Sequence, residues 1–196
     1  PFKYEAVPAN PRMHKDTEPP SMLSDGRWSN AVNESVQFEG DATIKADLGK
    51  CVELARVHVM VFQRPRDFET ARVEISFSAD GTAWSDPIVV KNPDRNVEGV
   101  GWAIPLTAHV ATQARFVMAR AYKTPRVSRQ LLGEIVIQTP QQAAEADRAA
   151  ASAAAGMPPT PMQVKRTLER ALLDAGVKFL YGCYATELLV DSDGRP

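Results

Sequence analysis

ARVEISFS, residues 71–78, decides the fold class. Ala71, Val73, Ile75 and Phe77 share one parity, and Arg72, Glu74, Ser76 and Ser78 share the other. That two-residue period is a strand with one face on a core and one in water; a helix would scatter the same side chains around its surface. Outward from it, Ser78-Ala79-Asp80-Gly81 supplies a turn, and residues 84–90 are expected to return as a further short strand. Upstream, Ala42, Ile44, Ala46 and Leu48 line one face of a short strand closed by Gly49. Residues 54–62 are apolar on both faces, which places them centrally in their sheet.

The rest of the first 140 residues continues the pattern. Residues 63–69 break it with Pro65 and read as a loop, and 91–99 is polar connecting chain. Segments 101–106, 114–122 and 131–139 complete the strands, with 32–38 a weaker candidate, and 123–129 forms a basic loop. Seven or eight short strands without helices between them predict a mainly β, antiparallel jelly-roll sandwich or barrel ending near Pro140. Residues 1–24 hold five prolines and read as irregular chain laid over a surface.

Residues 141–159 change to alanine and then proline, with almost no large apolar side chain to bury, and are expected as a linker or a helix lying loosely on a surface. A different unit, 160–196, follows. Thr160 caps a helix, Pro161 takes its first position and Gln163 completes a capping box. Val164, Leu168, Ala171, Leu172 and Ala175 make an apolar face, and Gly176 ends the helix. Residues 177–180 and 184–190 read as strands, so this α/β segment needs more sheet than it contains.

With 23 basic and 24 acidic residues in 196, the net charge of -1 gives no general attraction to nucleic acid. No apolar run is long enough to predict a membrane span. The start at Pro1 implies a removed segment or a section of something longer. Cys51 and Cys183 lie 132 positions apart, compatible with a bridge or with two buried free thiols, and His14, His58 and His109 have no metal-ligand spacing. No nucleophile elbow is present, and no residue is assigned a catalytic role.

Residues 23–26 (LSDG), 46–50 (ADLGK), the Arg56-Val57 strand, and 73–81 (VEISFSADG) followed by Trp84 resemble the discoidin family. These domains, also called coagulation factor type C domains, have a galactose-binding-like fold, and the likeness covers residues 3–138. It implies ligand contacts on loops at one end, often for sugars, and an extracytoplasmic setting, periplasmic or secreted. Some members hold a structural calcium, which implies Asp25 and Glu134 as carboxylates here, with backbone carbonyls near Arg27 and Trp28 completing an oxygen shell; the alternative is that Asp25 only nucleates its turn and Glu134 faces solvent. Residues 160–195 resemble the middle of FAD-dependent oxidoreductases, which sometimes carry a discoidin-like insertion. The glycine-rich dinucleotide turn of such enzymes is absent, so FAD would require another chain or a missing segment.

Sugar binding combines an aromatic face with polar groups for hydroxyls. Trp28, Phe68, Trp102 and Tyr122 are the candidate aromatics, and Arg64, Arg66, Asp67, Asn96, Lys123, Arg126 and Arg129 the candidate polar residues. Arg64, Arg66, Asp67 and Phe68 share one loop and, with Trp28 and Arg126, form the expected ligand site. The basic stretch Arg120, Lys123, Arg126, Arg129 suits an anionic ligand or a sugar acid, and equally a charged turn at a domain boundary. The leading expectation is a non-catalytic carbohydrate- or protein-binding sandwich carried as one section of an FAD-dependent oxidoreductase, completed by a second polypeptide or a missing remainder. The alternatives are an independent glycan-binding module and a purely structural interaction domain with no ligand.

Overall fold

Gly49 turns its strand without ending it. A computed structural model describes residues 2–8, 13–93, 102–156 and 161–177. Its strands are β1 (Lys3–Val7), β2 (Val36–Phe38), β3 (Ala42–Gln63), β4 (Thr70–Ser78), β5 (Ile88–Lys91), β6 (Trp102–Lys123) and β7 (Gln130–Gln138). The two segments expected on either side of Gly49 are one 22-residue strand, and those expected at 101–106 and 114–122 are another.

These long strands pair with each other twice. Ala42–Asp47 runs antiparallel to Phe116–Ala121, and Arg56–Gln63 runs antiparallel to Trp102–His109. The first ladder extends through β1 on one side and β4 then β5 on the other, and the second through β7 then β2. The result is two antiparallel layers sharing two strands, a jelly-roll sandwich. Ile44, Ala46, Val73, Ile75, Val117 and Ala119 of one layer form a single buried cluster with Val57, Val59, Val61, Leu106, Leu132 and Ile135 of the other. The inward parity of β3 is even before the crossing and odd after it. The register shift between Leu54 and Arg56 makes the change, because one residue of slip turns every side chain to the opposite face.

The registers also sort the connections. The turn at 39–41, the loops 64–69 and 124–129, and Asn92 lie at one end, here the loop end. The β3 and β6 crossings, the 79–87 turn, the start of β1 and the end of β7 lie at the other.

Several expectations are corrected. The proline-rich leader contains β1, whose Tyr4 is buried while Lys3 and Glu5 face solvent. Trp84 precedes its strand, which begins only at Ile88, because the Asp80-Gly81 turn is extended. In that turn Asp80 Oδ1 accepts the N–H groups of Thr82 and Ala83 at 2.8 and 3.0 Å. Cys51 is a free, exposed thiol on the β3 crossing, and Cys183 lies outside the described residues, as do the strand expected at 184–190 and all but Val177 of the one expected at 177–180.

The chain divides into units 1–148 and 149–196. Helix α1 (Pro140–Gly156) begins in the first, where Thr139 and Gln142 form a capping box: each backbone N–H donates to the other's side-chain oxygen. Arg56 holds this first part of α1, donating to Gln138 Oε1 at 2.7 Å, Asp147 Oδ1 at 2.8 Å and Ala143 O at 3.0 Å. In the second unit α2 (Pro161–Asp174) ends as expected, with Gly176 left-handed and its N–H on Leu173 O. Among the described residues no helix is long and apolar enough to cross a membrane.

A second cluster, Phe62, Phe68 and Leu131 with Trp28, Ala31 and Ala103, covers the outer face of the β3–β7 layer. It depends on Gly133, where an added Cβ would lie 2.7 Å from Phe62 Cε2 and 3.2 Å from Trp28 Cβ. Gly133→Ala is therefore expected to cost about 1–3 kcal/mol by overpacking, lowering Tm by roughly 2–10 °C. Adding Phe62→Leu should recover part of the loss; equal Tm for wild type and Gly133→Ala would show that the layer is not packed this closely.

Candidate functional site

The loop end is built on buried polar side chains. Gln130 Nε2 donates to Gly40 O at 2.7 Å and Ala121 O at 3.0 Å, while its Oε1 accepts the Thr70 hydroxyl at 3.0 Å. Asn92 Nδ2 donates to Thr70 O at 2.8 Å and to Gln63 Oε1, and its backbone N–H reaches Ala71 O at 2.9 Å. Glu69, only 5% exposed, joins the two loops above this floor: it accepts the Arg66 N–H and the Thr124 hydroxyl, each at 2.9 Å. The backbone N–H of Thr124 returns to Glu69 O at 3.1 Å.

Of the residues expected to bind ligand, Arg64, Arg66, Asp67 and Arg126 come together here. Arg66 has φ 67°, a left-handed conformation unfavourable for a residue with a Cβ, and the Glu69 carboxylate fixes its N–H. Asp67 is held by Arg129, whose Nε lies 2.9 Å away, with Arg64 Nη1 at 3.6 Å. Arg126 is exposed in the turn closed by Val127 N–H on Thr124 O. Lys123 turns inward, its Nζ on Val127 O at 2.8 Å.

Two of the expected ligand residues are placed otherwise. Phe68 is buried in the second cluster beneath the Arg129 guanidinium, so it is core and offers no face to a sugar. Trp28 is half-buried on the same cluster and borders a different cleft. Tyr122 lies under Arg72, 3.9 Å from its ring centroid, with its hydroxyl on Glu74 at 2.8 Å. The Trp102 side chain and Asn96 lie outside the described residues.

Asp25 and Glu134 meet in a cleft of about 570 Å³ also lined by Phe2, Ser24 and Trp28. Glu134 is 4% exposed, so the possibility that it faces solvent is excluded. Burial first, and then the Asp25 charge, push its carboxyl up to about 7. Gly26 N–H donates to its Oε2 at 3.2 Å, and Arg27 N–H donates to Asp25 Oδ1 at 2.9 Å. Calcium takes six to eight oxygens, of which these two carboxylates would supply only part, and among the described residues no three metal-ligating side chains gather.

Sequence patterns missed a second cleft, about 720 Å³, beside β1 and walled by Phe2, Pro19, Pro20 and Phe116. Of its charged residues, Asp47 and Lys45 are engaged within the protein. Asp47 takes Arg115 Nε and Nη2 at 2.8 Å each, which holds its carboxyl down to about 2, and Lys45 lies over Trp84 and Phe116.

No family model matches the chain, and no curated protein is similar to it. Solved structures are. A Ruminococcus gnavus GH29 fucosidase in complex with fucose matches with a TM-score of 0.50 at 11% identity, over 69% of this chain and 25% of that one. The Clostridium perfringens module CpGH89CBM32-5, in complex with GalNAc-β-1,3-galactose, matches at 0.48 and 15%, over 69% and 94%. CpGH89CBM32-6, produced by the same organism, matches at 0.43 and 18%, over 70% and 94%. At these identities the likeness concerns the fold.

The raised carboxyl of Glu134 makes stability depend on pH. A proton bound more tightly in the folded state stabilises fully below the ordinary value of 4.5, and this contribution is lost as pH rises through about 7. The loss should be on the order of 1–3 kcal/mol. Glu134→Gln is expected to leave Tm unchanged at pH 4 and raise it by roughly 2–8 °C at pH 8. Equal pH profiles of Tm for the two proteins would refute the assignment.

Proposed function

We propose that the sandwich is a non-catalytic glycan-binding module and that it binds through its loop end. The observation carrying this reading is the buried Gln130–Thr70–Asn92 and Glu69–Thr124 network, which holds two arginine-bearing loops in fixed positions. Buried polar groups left unpaired cost about 1–3 kcal/mol each, so such a network locks its loops as a unit. Pre-ordered loops lose less entropy on binding, which suits weak recognition of hydroxyl-rich ligands. Arg64 and Arg126 would donate to sugar oxygens, and Asp67, steadied by Arg129, would accept hydroxyl protons.

Calorimetry against galactose-type oligosaccharides is expected to show saturable binding at about millimolar sugar. Arg64→Ala/Arg66→Ala/Arg126→Ala should weaken it at least about tenfold, with Tm within about 2 °C of wild type. No binding across a neutral and acidic glycan panel would remove this reading and leave an interaction domain without a ligand.

A second reading, that the chain is one section of an FAD-dependent oxidoreductase, has one structural feature in its favour. Val164, Leu168, Leu172 and Leu173 of α2 are exposed, an apolar surface that a further domain would cover. The chain itself would then supply scaffold, with flavin redox chemistry performed by the cofactor. A yellow native preparation containing additional polypeptide supports this reading; a colourless chain of 21.5 kDa removes it.

A further inference from the structure

Residues 63–70 and 123–130 carry five cations, Arg64, Arg66, Lys123, Arg126 and Arg129, against two carboxylates, Asp67 and Glu69, in a chain whose net charge is -1. Basic loops are often no more than solvated surface, so the arrangement of these charges decides what they can do. Both carboxylates already have partners in the loops: Glu69 the Arg66 N–H and the Thr124 hydroxyl, and Asp67 the Arg129 guanidinium on its Oδ1. Lys123 is spent on backbone carbonyls. Arg66 and Arg126 remain exposed, with no carboxylate partner among the described residues. Arg66 stands on a left-handed backbone that Glu69 holds in place.

We infer that the loop end selects acidic saccharides, with Arg66 and Arg126 binding a carboxylate or sulfate group on the sugar. This rests on the glycan-binding reading above and names its ligand class. A guanidinium presents a planar pair of N–H donors that matches a carboxylate, and each such contact is roughly twice as strong as its neutral counterpart. A neutral sugar offers both cations only uncharged hydroxyl oxygens. The ligand charge therefore adds affinity that a neutral sugar of equal length lacks.

The test titrates the whole chain with three oligosaccharides of matched length: a neutral galactan, an oligogalacturonate and a sulfated galactan. At about 50 mM salt at least one acidic ligand should bind about tenfold or more tightly than the neutral one, and the gap should narrow at about 300 mM as charges are screened. Whichever acidic arm binds more tightly identifies carboxylate or sulfate as the group recognised. Arg66→Gln/Arg126→Gln should lower acidic-ligand affinity to that of the neutral ligand, removing the preference, while Tm stays unchanged. Equal affinities for neutral and acidic ligands, or a preference that survives the double substitution, overturn the inference and leave the glycan-binding reading standing. Binding of none of the three overturns both.

Discussion

Strands β3 and β6 belong to both layers, so each must leave one sheet and enter the other without stranding its backbone polar groups. The two crossings solve this together. Val52, Glu53 and Leu54 pair with Ala114, Gln113 and Thr112 between the two main ladders. Gly49 supplies the left-handed residue, with its N–H 2.8 Å from Asp47 Oδ1, and Arg115 of β6 grips the same carboxylate through two nitrogens. The bend of one strand is thus clamped by a side chain of the other. A slip of one residue here would turn Val57, Val59 and Val61 away from the core.

The loop end inherits its geometry from these crossings. Because both long strands double back, the connections at 39–41, 64–69 and 124–129 are brought to one end, and their backbones crowd together there. Crowded loop backbone buries N–H and C=O groups that no ladder satisfies, and Gln130, Asn92, Glu69 and Thr124 meet that demand. The motifs most suggestive of a family lie mainly elsewhere. Asp47-Leu48-Gly49-Lys50 and Ser78-Ala79-Asp80-Gly81 are at the crossing end and act through turn chemistry: Ser78 Oγ accepts Gly81 N–H at 2.8 Å, just as Asp47 accepts Gly49 N–H. They mark the fold and do not touch the proposed site.

The alternation in 71–78 was legible because one side chain in two meets the core, a strictly local signal. The continuity of β3 was not, since the bonds that carry it across Gly49 come from residues some sixty positions away, at 112–114. The leader's prolines masked β1. The capping box of Thr139 and Gln142 is present in the sequence, but the alanines after it offer no apolar face to mark a helix, and Thr160 of the expected second box lies outside the described residues. At the site, the loop arginines could be picked out by type, since Pro65 interrupts two strong strands. Burial of Phe68 and Glu134, and the roles of Gln130 and Asn92, depend on long-range packing and have no periodic signature.

The kind of side chain left exposed at the loop end explains the rigidity beneath it. Phe68 is buried and Tyr122 is engaged by Arg72 and Glu74, so among the described residues the accessible groups are chiefly guanidinium, not aromatic. Stacking on a ring tolerates lateral error, whereas a hydrogen bond weakens steeply once its angle falls toward 120°. Long arginine side chains also surrender rotamer entropy on binding. A site that works through arginines therefore needs backbones that do not move, and it needs them before the ligand arrives. Glu69 meets that need by spending a buried carboxylate on the Arg66 N–H and the facing loop's hydroxyl, which places a strained arginine and ties its neighbour in one arrangement.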